Sequence, residues 1–312
     1  MMSIVKVFLS NLNPFNNRED MPAILYIIKK VFAFILIYFV SAVIGETVVI
    51  AILTAMGYDP LHGDMPGAMA AWMLQYYGFI CFILVTVLYC KVIEKQPVKA
   101  FFKGKVLDYL WGCLIAIVLL AAIICVSLIS GSISFTGISA NVSILSLLLY
   151  LFGFVIQSAA EEVMCRGFLL NSLKKRVNVP MAVIVSSAAF AVPHLSSILS
   201  CESKYAVVGI INLFLVSFIF SVLVLKRDNI WISCGLHFAW NYVLNSIMGL
   251  TVSGSDNISE GPLAFKVNEG SLLNGGAYGI EASIITTVVL GVALVLISVI
   301  MKKKGGEKDG VQ

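Results

Sequence analysis

The sequence predicts an all-α fold: a polytopic membrane helix bundle with about eight transmembrane helices and both termini in the cytoplasm. Of its 312 residues 60% are hydrophobic, the mean hydropathy is +0.98 and 12% are charged. Soluble domains carry about 25% charged residues. This composition excludes a soluble globular enzyme, a disordered chain and a disulfide scaffold. A net charge of +4 spread over so apolar a chain makes no basic face, which excludes a nucleic-acid binder.

Eight apolar runs account for the predicted helices, since about 20 apolar residues form one span. They lie at about 31–57, 69–90, 107–129, 143–165, 180–199, 205–225, 230–249 and 282–301. The fourth run continues without a helix breaker through Leu173, and the short fifth run is interrupted by Pro193. The connection 250–281, rich in Gly, Ser and Asn, predicts an exposed outer loop. Residues 1–10 predict a short interfacial helix in a retained cytoplasmic N-terminus.

The positions of Lys and Arg give the orientation, because basic residues concentrate in cytoplasmic loops. With the N-terminus inside, 19 of the 21 basic residues fall on the cytoplasmic side and the outer loops hold only Lys204 and Lys266. We therefore expect a multi-pass integral protein of the bacterial plasma membrane, surrounded by lipid. By region, 1–142 holds the tail and three helices, 143–249 a four-helix catalytic core, and 250–312 the outer loop, last helix and basic tail.

A small set of polar residues interrupts these apolar runs. An ionisable group at mid-span costs about 2.5–3.5 kcal/mol on insertion scales, so such groups are retained when they pair or carry a function. Glu46, alone in the first run, is interpreted as a protonated, hydrogen-bonded packing residue. The others are Glu161, Glu162, Arg166, His194, His237, Asn241 and Asn245.

The fourth helix carries two adjacent carboxylates and an arginine. Glu162 and Arg166 are separated by four residues, with the acid first, which favours an ion pair on one helix face. Glu161 lies 100° around the helix and is left to point elsewhere. A carboxylate in a partly dry site is suited to act as a general base. The alternative is that both carboxylates share one arginine at the cytoplasmic interface.

The fifth and seventh helices contribute two of the chain's three histidines. On the fifth, Phe190 and His194 are four residues apart with Pro193 between them, and a proline bends a helix. A kink beside a histidine can open a polar cavity, or the histidine can hydrogen-bond a neighbouring helix.

The seventh helix shows a regular polar stripe. Ser233, His237, Asn241 and Asn245 recur every four residues and share one face. Two adjacent donors, His237 and Asn241, suit a developing oxyanion. The stripe is equally consistent with hydrogen bonding between packed helices.

The three motifs together resemble the CPBP (Abi) family of intramembrane proteases, which includes the CAAX-prenyl proteases. The motifs are E-E-x-x-x-R at 161–166, F-x-x-x-H at 190–194 and H-x-x-x-N at 237–241. They fall in order on separate helices within residues 143–249, about a third of the chain.

This resemblance implies a glutamate-dependent endopeptidase without an obligatory metal or other cofactor. Glu161 and His194 would activate water, and His237 and Asn241 would stabilise the oxyanion. Three further residues would support the site structurally: Glu162, Arg166 and Phe190. The substrate would be a membrane-associated peptide or protein.

Other functions stay open from the sequence. A zinc protease with Glu161, His194 and His237 as ligands is possible chemistry, although the chain has neither H-E-x-x-H nor zinc-type cysteine spacing. A non-proteolytic immunity or interaction protein would keep the same motifs and act by binding a partner. A proton-coupled transporter is a weaker hypothesis, since no paired repeats are found.

Overall fold

The computed structural model describes residues 11–65, 76–101, 103–139, 142–254, 261–268 and 270–301. The predicted interfacial helix at 1–10 lies outside these residues, as do part of the second apolar run and the basic C-terminal tail. The chain divides into two compact units. Unit 1 comprises Met1–Lys103 and Ala159–Ala189, and unit 2 comprises Gly104–Ser158 and Phe190–Gln312.

Unit 1 contains the long helix α1 and five further helical segments, apart from two short 3-10 turns. Its elements are α1 (Ala23–Ala55), α2 (Ile80–Val92), the last turn of α4 (Ile144–Glu162), a π-helical segment (Val163–Leu170), one further helical turn (Asn171–Leu173) and most of α5 (Val179–Ala191). Short 3-10 turns cover Pro60–His62 and Val98–Ala100. The π-helical segment has wider turns than an α-helix, a departure that is frequent at functional sites.

A buried polar cluster holds unit 1 together at one end. Lys30 Nζ lies 2.5 Å from Glu94 Oε1, and the two side chains are 0% and 1% exposed. Ser172 Oγ donates to Glu94 Oε2 at 3.3 Å, and Tyr26 donates to the Ser172 carbonyl at 3.0 Å. Because buried charges require partners, this cluster fixes α1, the chain after α2 and the turn Asn171–Leu173 to one another.

Unit 2 contains the remaining helices and a small sheet. Its elements are α3 (Val106–Ile129), β1 (Ile133–Ile138), most of α4, a 3-10 turn (Val192–His194), α6 (Leu195–Leu199), α7 (Ser203–Arg227), α8 (Trp231–Tyr242) with a π-helical end (Val243–Ile247), β2 (Leu263–Val267), two more 3-10 turns (Gly276–Tyr278 and Ile280–Ala282) and α9 (Ile284–Ile300).

Two glycines bring α3 and α8 into backbone contact. A Cβ at Gly112 would lie 2.0 Å from the Ile232 carbonyl oxygen, and a Cβ at Gly235 would lie 2.0 Å from the Tyr109 carbonyl oxygen. No side chain fits at either position, so small residues set the distance between these helices, as in other membrane bundles.

The helices confirm the predicted all-α membrane bundle. Within the described residues, five are long and apolar enough to cross a membrane: Ala23–Ala55, Val106–Ile129, Ile144–Leu173, Val179–Leu199 and Ser203–Arg227. Shorter apolar helices cover Tyr76–Val92 and Ile284–Ile300. The chain is therefore an integral, multi-pass membrane protein, while eight crossings and two cytoplasmic termini stay predictions.

The prediction of an exposed loop at 250–281 is wrong for much of that segment. Strand β2 pairs antiparallel with β1, from Ile133 opposite Val267 to Ile138 opposite Leu263, with an irregularity between Phe135 and Gly137. Later in the segment two successive 3-10 turns bury Tyr278 and Ile280, which are 4% and 1% exposed. Residues 276–282 are thus part of the folded core of unit 2.

The interpretation of Glu46 as a packing residue is also wrong. Its side chain is exposed, whereas Gly45 and Val49 on the other side of α1 are buried. Gly45 faces the Gly78 carbonyl at close range, so the packed face of α1 is the one that Glu46 does not occupy.

Candidate functional site

Unit 1 holds the predicted Glu162–Arg166 ion pair. Arg166 Nη1 donates to Glu162 Oε1 at 2.8 Å, and both side chains are 0% exposed. The spacing of four residues crosses from the end of α4 into the π-helical segment. Since each charge is enclosed by protein, removing one would leave the other buried without its counter-charge. The pair is therefore built into the core of unit 1.

Glu161 differs from its neighbour in exposure. It is partly exposed, whereas Glu162 is fully buried. The 100° between successive residues of a helix turns the two side chains in different directions. Glu161 therefore does not share the fully enclosed position of Glu162, and its Oε2 atom is nevertheless buried.

In unit 2, His194 lies at the break that Pro193 makes in its helix. Proline has no N–H and therefore cannot complete the α-helical hydrogen bond at this point; α5 ends at Ala191 and a 3-10 turn covers Val192–His194. His194 Nδ1 lies 3.0 Å from the Phe190 carbonyl oxygen. A carbonyl only accepts, so Nδ1 carries the proton and Nε2 of the neutral ring keeps its lone pair.

Phe190 packs against both predicted imidazoles. Its ring centroid lies 5.1 Å from that of His194 and 5.8 Å from that of His237. His237 also stacks on Phe220, at 5.1 Å and 22°. Phe190, Phe220 and His237 are all at most 4% exposed. Unit 2 therefore brings Phe190, His194 and His237 together and holds His237 between two aromatic rings.

The polar stripe of α8 faces the interior of unit 2. Ser233, His237, Asn241 and Asn245 are between 0% and 6% exposed. Asn241 Nδ2 donates to Gln157 Oε1 at 3.1 Å. An amide nitrogen carries two protons, so this bond fixes the Asn241 side chain and leaves a second donor proton on the same nitrogen.

Gln157 is a polar residue that the sequence reasoning missed. It lies four residues before Glu161 on α4, in an otherwise apolar run. That spacing places Gln157 and Glu161 on one face of the helix, which is the signal that was available. Its role as the partner of Asn241 depends on tertiary packing and has no local signature.

Glu281 is the second missed residue. Its Oε1 accepts from Trp240 Nε1 at 2.7 Å and its Oε2 from the Ser253 backbone N–H at 2.5 Å. Burial raises the pKa of the Glu281 carboxyl, while the hydrogen bonds from Ser253 and Trp240 and the positive charge of nearby imidazoles oppose that rise. The only sequence signal was a carboxylate just before the last apolar run.

A zinc protease is one alternative that the sequence leaves open. Among the residues that the structure describes, no group of three or more His, Cys, Asp or Glu side chains is arranged to hold a metal ion.

These features define a multi-pass helical membrane protein with buried polar side chains, among them a histidine, an asparagine and a glutamate–arginine pair. The family model described as Type II CAAX prenyl endopeptidase Rce1-like matches residues 143–243, about a third of the chain. This match confirms the resemblance to the CPBP family over that segment, and the chain is similar to CAAX-type membrane proteases there. All seven predicted site residues fall within it, whereas Glu281 lies outside. No curated protein matches the chain.

Proposed function

We propose that this protein is an intramembrane endopeptidase that hydrolyses a peptide bond of a membrane-associated peptide or protein, with a glutamate as general base. The observation that carries the proposal is the Rce1-like match over residues 143–243, which spans all three motifs. The ordered environments of His194, His237 and Asn241 within unit 2 support it.

In the proposed reaction, Glu161 accepts a proton from water as the water oxygen attacks the scissile carbonyl carbon. His194 assists through Nε2, the nitrogen left unprotonated when Nδ1 donates to the Phe190 carbonyl. Water that is bound between two acceptors is oriented for attack, and general-base catalysis of this kind contributes about 10²- to 10⁴-fold.

His237 and Asn241 are assigned to the oxyanion of the tetrahedral intermediate. Both are held by packed partners, Phe220 and Gln157 respectively, so their donors need no reorganisation as charge develops on oxygen. The C–N bond then breaks, and the proton held by Glu161 passes to the leaving amine. Phe190, Glu162 and Arg166 support the site structurally.

The test compares Glu161→Gln with Glu46→Gln, a matched change at a second glutamate that lies in an apolar helix. Each full-length variant is purified in detergent and incubated with a fluorogenic farnesylated CAAX peptide and with an unlipidated version. In parallel, membrane and secreted peptides are compared between cells that carry wild type or Glu161→Ala. We expect Glu161→Gln to reduce cleavage at least about 10²-fold and Glu46→Gln to leave it unchanged.

Normal turnover by Glu161→Gln would overturn the proposal. Full complementation of a cellular phenotype by Glu161→Ala would instead support a binding or immunity role. The zinc alternative predicts a stoichiometric metal in the purified protein, with activity lost to a chelator and restored by zinc.

A further inference from the structure

The chain that follows the Rce1-like segment folds back onto unit 2. Asn212 on α7 anchors it: the Asn212 amide nitrogen donates to the Glu281 carbonyl at 2.8 Å and to the Ser283 carbonyl at 2.9 Å. Asn212 is 3% exposed and Ala282 is 0% exposed. The backbone on either side of Glu281 is therefore clamped, which fixes where its carboxylate points.

The Glu281 carboxylate is held at both oxygens. Trp240 Nε1 reaches Oε1 at 2.7 Å, and the Ser253 N–H reaches Oε2 at 2.5 Å. Either protonation state of a carboxyl group can accept at both oxygens. Two donors aimed at two oxygens therefore fix the orientation of this carboxyl group.

Trp240 connects this carboxylate to the predicted site. On α8 it comes three residues after His237 and directly before Asn241. Its indole is 5% exposed, so the bond to Glu281 is made inside the protein. A group that restrains Trp240 restrains the rotation of the helical turn that presents both His237 and Asn241.

The same segment also reaches the His194 side of unit 2. The Tyr278 hydroxyl hydrogen-bonds the Ser197 side chain, and Ser197 Oγ donates to the His194 carbonyl at 3.0 Å. The segment that carries Glu281 thus contacts both the helix that carries His237 and the chain just after His194.

We propose that Glu281 is a positioning residue for the histidine and asparagine part of the site. It acts through Trp240 to hold the turn of α8 that carries His237 and Asn241. This inference rests on the proposed function for its catalytic consequence. Its structural part concerns the free protein and requires no substrate.

Three substitutions change the contact between residue 281 and Trp240 in different ways. In Glu281→Gln the amide oxygen can still accept from Trp240, but the amide NH₂ meets the Ser253 N–H donor and the charge is lost. In Trp240→Phe the charge stays and the restraint on α8 is lost. Glu281→Asp keeps the charge on a shorter side chain. Glu202→Gln, in an exposed ion pair with side chains 51% and 68% exposed, is the matched control.

The first readout is the position of the histidine ring resonances, measured by NMR in detergent micelles at one fixed pH. The chain has three histidines, and the exposed His62, paired with Asp59 at 2.8 Å, is an internal reference. Because a ring resonance reports the local environment, we expect Glu281→Gln and Trp240→Phe to displace the resonances of His237, which stacks on Phe220. Glu202→Gln should leave the resonances of all three histidines unchanged.

The second readout is steady-state cleavage of the farnesylated CAAX peptide. We expect Glu281→Gln and Trp240→Phe to lower kcat about 10- to 100-fold with KM little changed, since the loss falls on transition-state alignment. Unchanged His237 resonances and an unchanged kcat in Glu281→Gln would overturn the proposal. If Glu281→Gln does not fold, Glu281→Asp takes its place: displaced His237 resonances with a lowered kcat support positioning, and wild-type kcat in Trp240→Phe contradicts it.

The two proposals fail in different ways. Activity that survives Glu161→Gln defeats the proposed function and does not change the His237 resonances expected for Glu281→Gln. Loss of activity in Glu161→Gln, together with normal His237 resonances and normal kcat in Glu281→Gln, defeats only the assignment of Glu281.

Discussion

The Glu162–Arg166 pair allows a quantitative prediction. Both side chains are 0% exposed and their charged atoms lie 2.8 Å apart. Arg166→Met removes the positive charge and leaves a buried carboxylate without its counter-charge, which costs about 3–5 kcal/mol. At 1.4 kcal/mol for each factor of ten, the unfolding equilibrium constant rises roughly 140- to 3,700-fold.

The double variant Glu162→Gln with Arg166→Met removes the uncompensated charge. Replacement of a buried ion pair by uncharged side chains of similar volume is often neutral or stabilising. We therefore expect the double variant to lie within about 1 kcal/mol of wild type, with a coupling energy of at least about 2 kcal/mol between the two positions. The control is Glu202→Gln in the exposed pair with Lys204, where less than about 1 kcal/mol is expected.

The assay is denaturant-induced unfolding in detergent micelles, followed by the fluorescence of the four tryptophans. The reasoning is refuted if the double variant is as unstable as Arg166→Met, because the loss then comes from packing or other partners of Arg166. It is also refuted if Arg166→Met melts like the exposed control.

Two further predictions concern unit 2. Gly112→Ala should lower the melting temperature by at least about 5 °C or prevent folding, because the new Cβ would lie 2.0 Å from the Ile232 carbonyl oxygen. The control Gly291→Ala should melt like wild type, because nothing lies within 4 Å of its Cβ. Equal melting temperatures of the two variants would contradict the backbone contact. Phe190→Leu should reduce cleavage of the farnesylated peptide about tenfold or more without unfolding the protein, because Phe190 packs against both imidazoles. The control is the same change at Phe214, which pairs with Phe218. Equal activity of the two variants would count against a role for Phe190.

Much of the helical fold was predictable because lipid enforces it. A chain that crosses a membrane as helices must make its backbone hydrogen bonds within those helices, because the lipid core offers no water. Long apolar runs therefore predict helices. The pairing of Glu162 with Arg166 was predictable for a similar reason, since a spacing of four residues places both side chains on one face. The break in the fifth helix followed from Pro193, which lacks an N–H.

The features that the sequence reasoning missed depend on distant parts of the chain. Strand β1 pairs with β2, which begins more than 120 residues later, and neither strand is long enough to show a clear pattern. Glu281 meets Trp240 through a bend that Asn212 holds. For Glu46 the apolar run showed no polarity difference around the helix, so the packed face, defined by Gly45, was not visible from periodicity.

The roles of the individual site residues were only partly predictable from the sequence. The structure gives His194, His237 and Asn241 defined partners within unit 2 and places Glu161 in a less enclosed position than Glu162. The catalytic assignments come from the resemblance and are decided by the variants described above.

The glycine contacts between α3 and α8 have a consequence for motion. With Gly112 and Gly235 bringing backbone against backbone, there are no side chains at these points whose rotamers can change and let the helices slide. The two helices therefore fluctuate as one stiff body, and the amide protons of α8 near Gly235 should be among the slowest in the protein to exchange with solvent. Any opening of unit 2 must therefore come from helices other than α3 and α8. The stiff helix α8 carries His237 and Asn241.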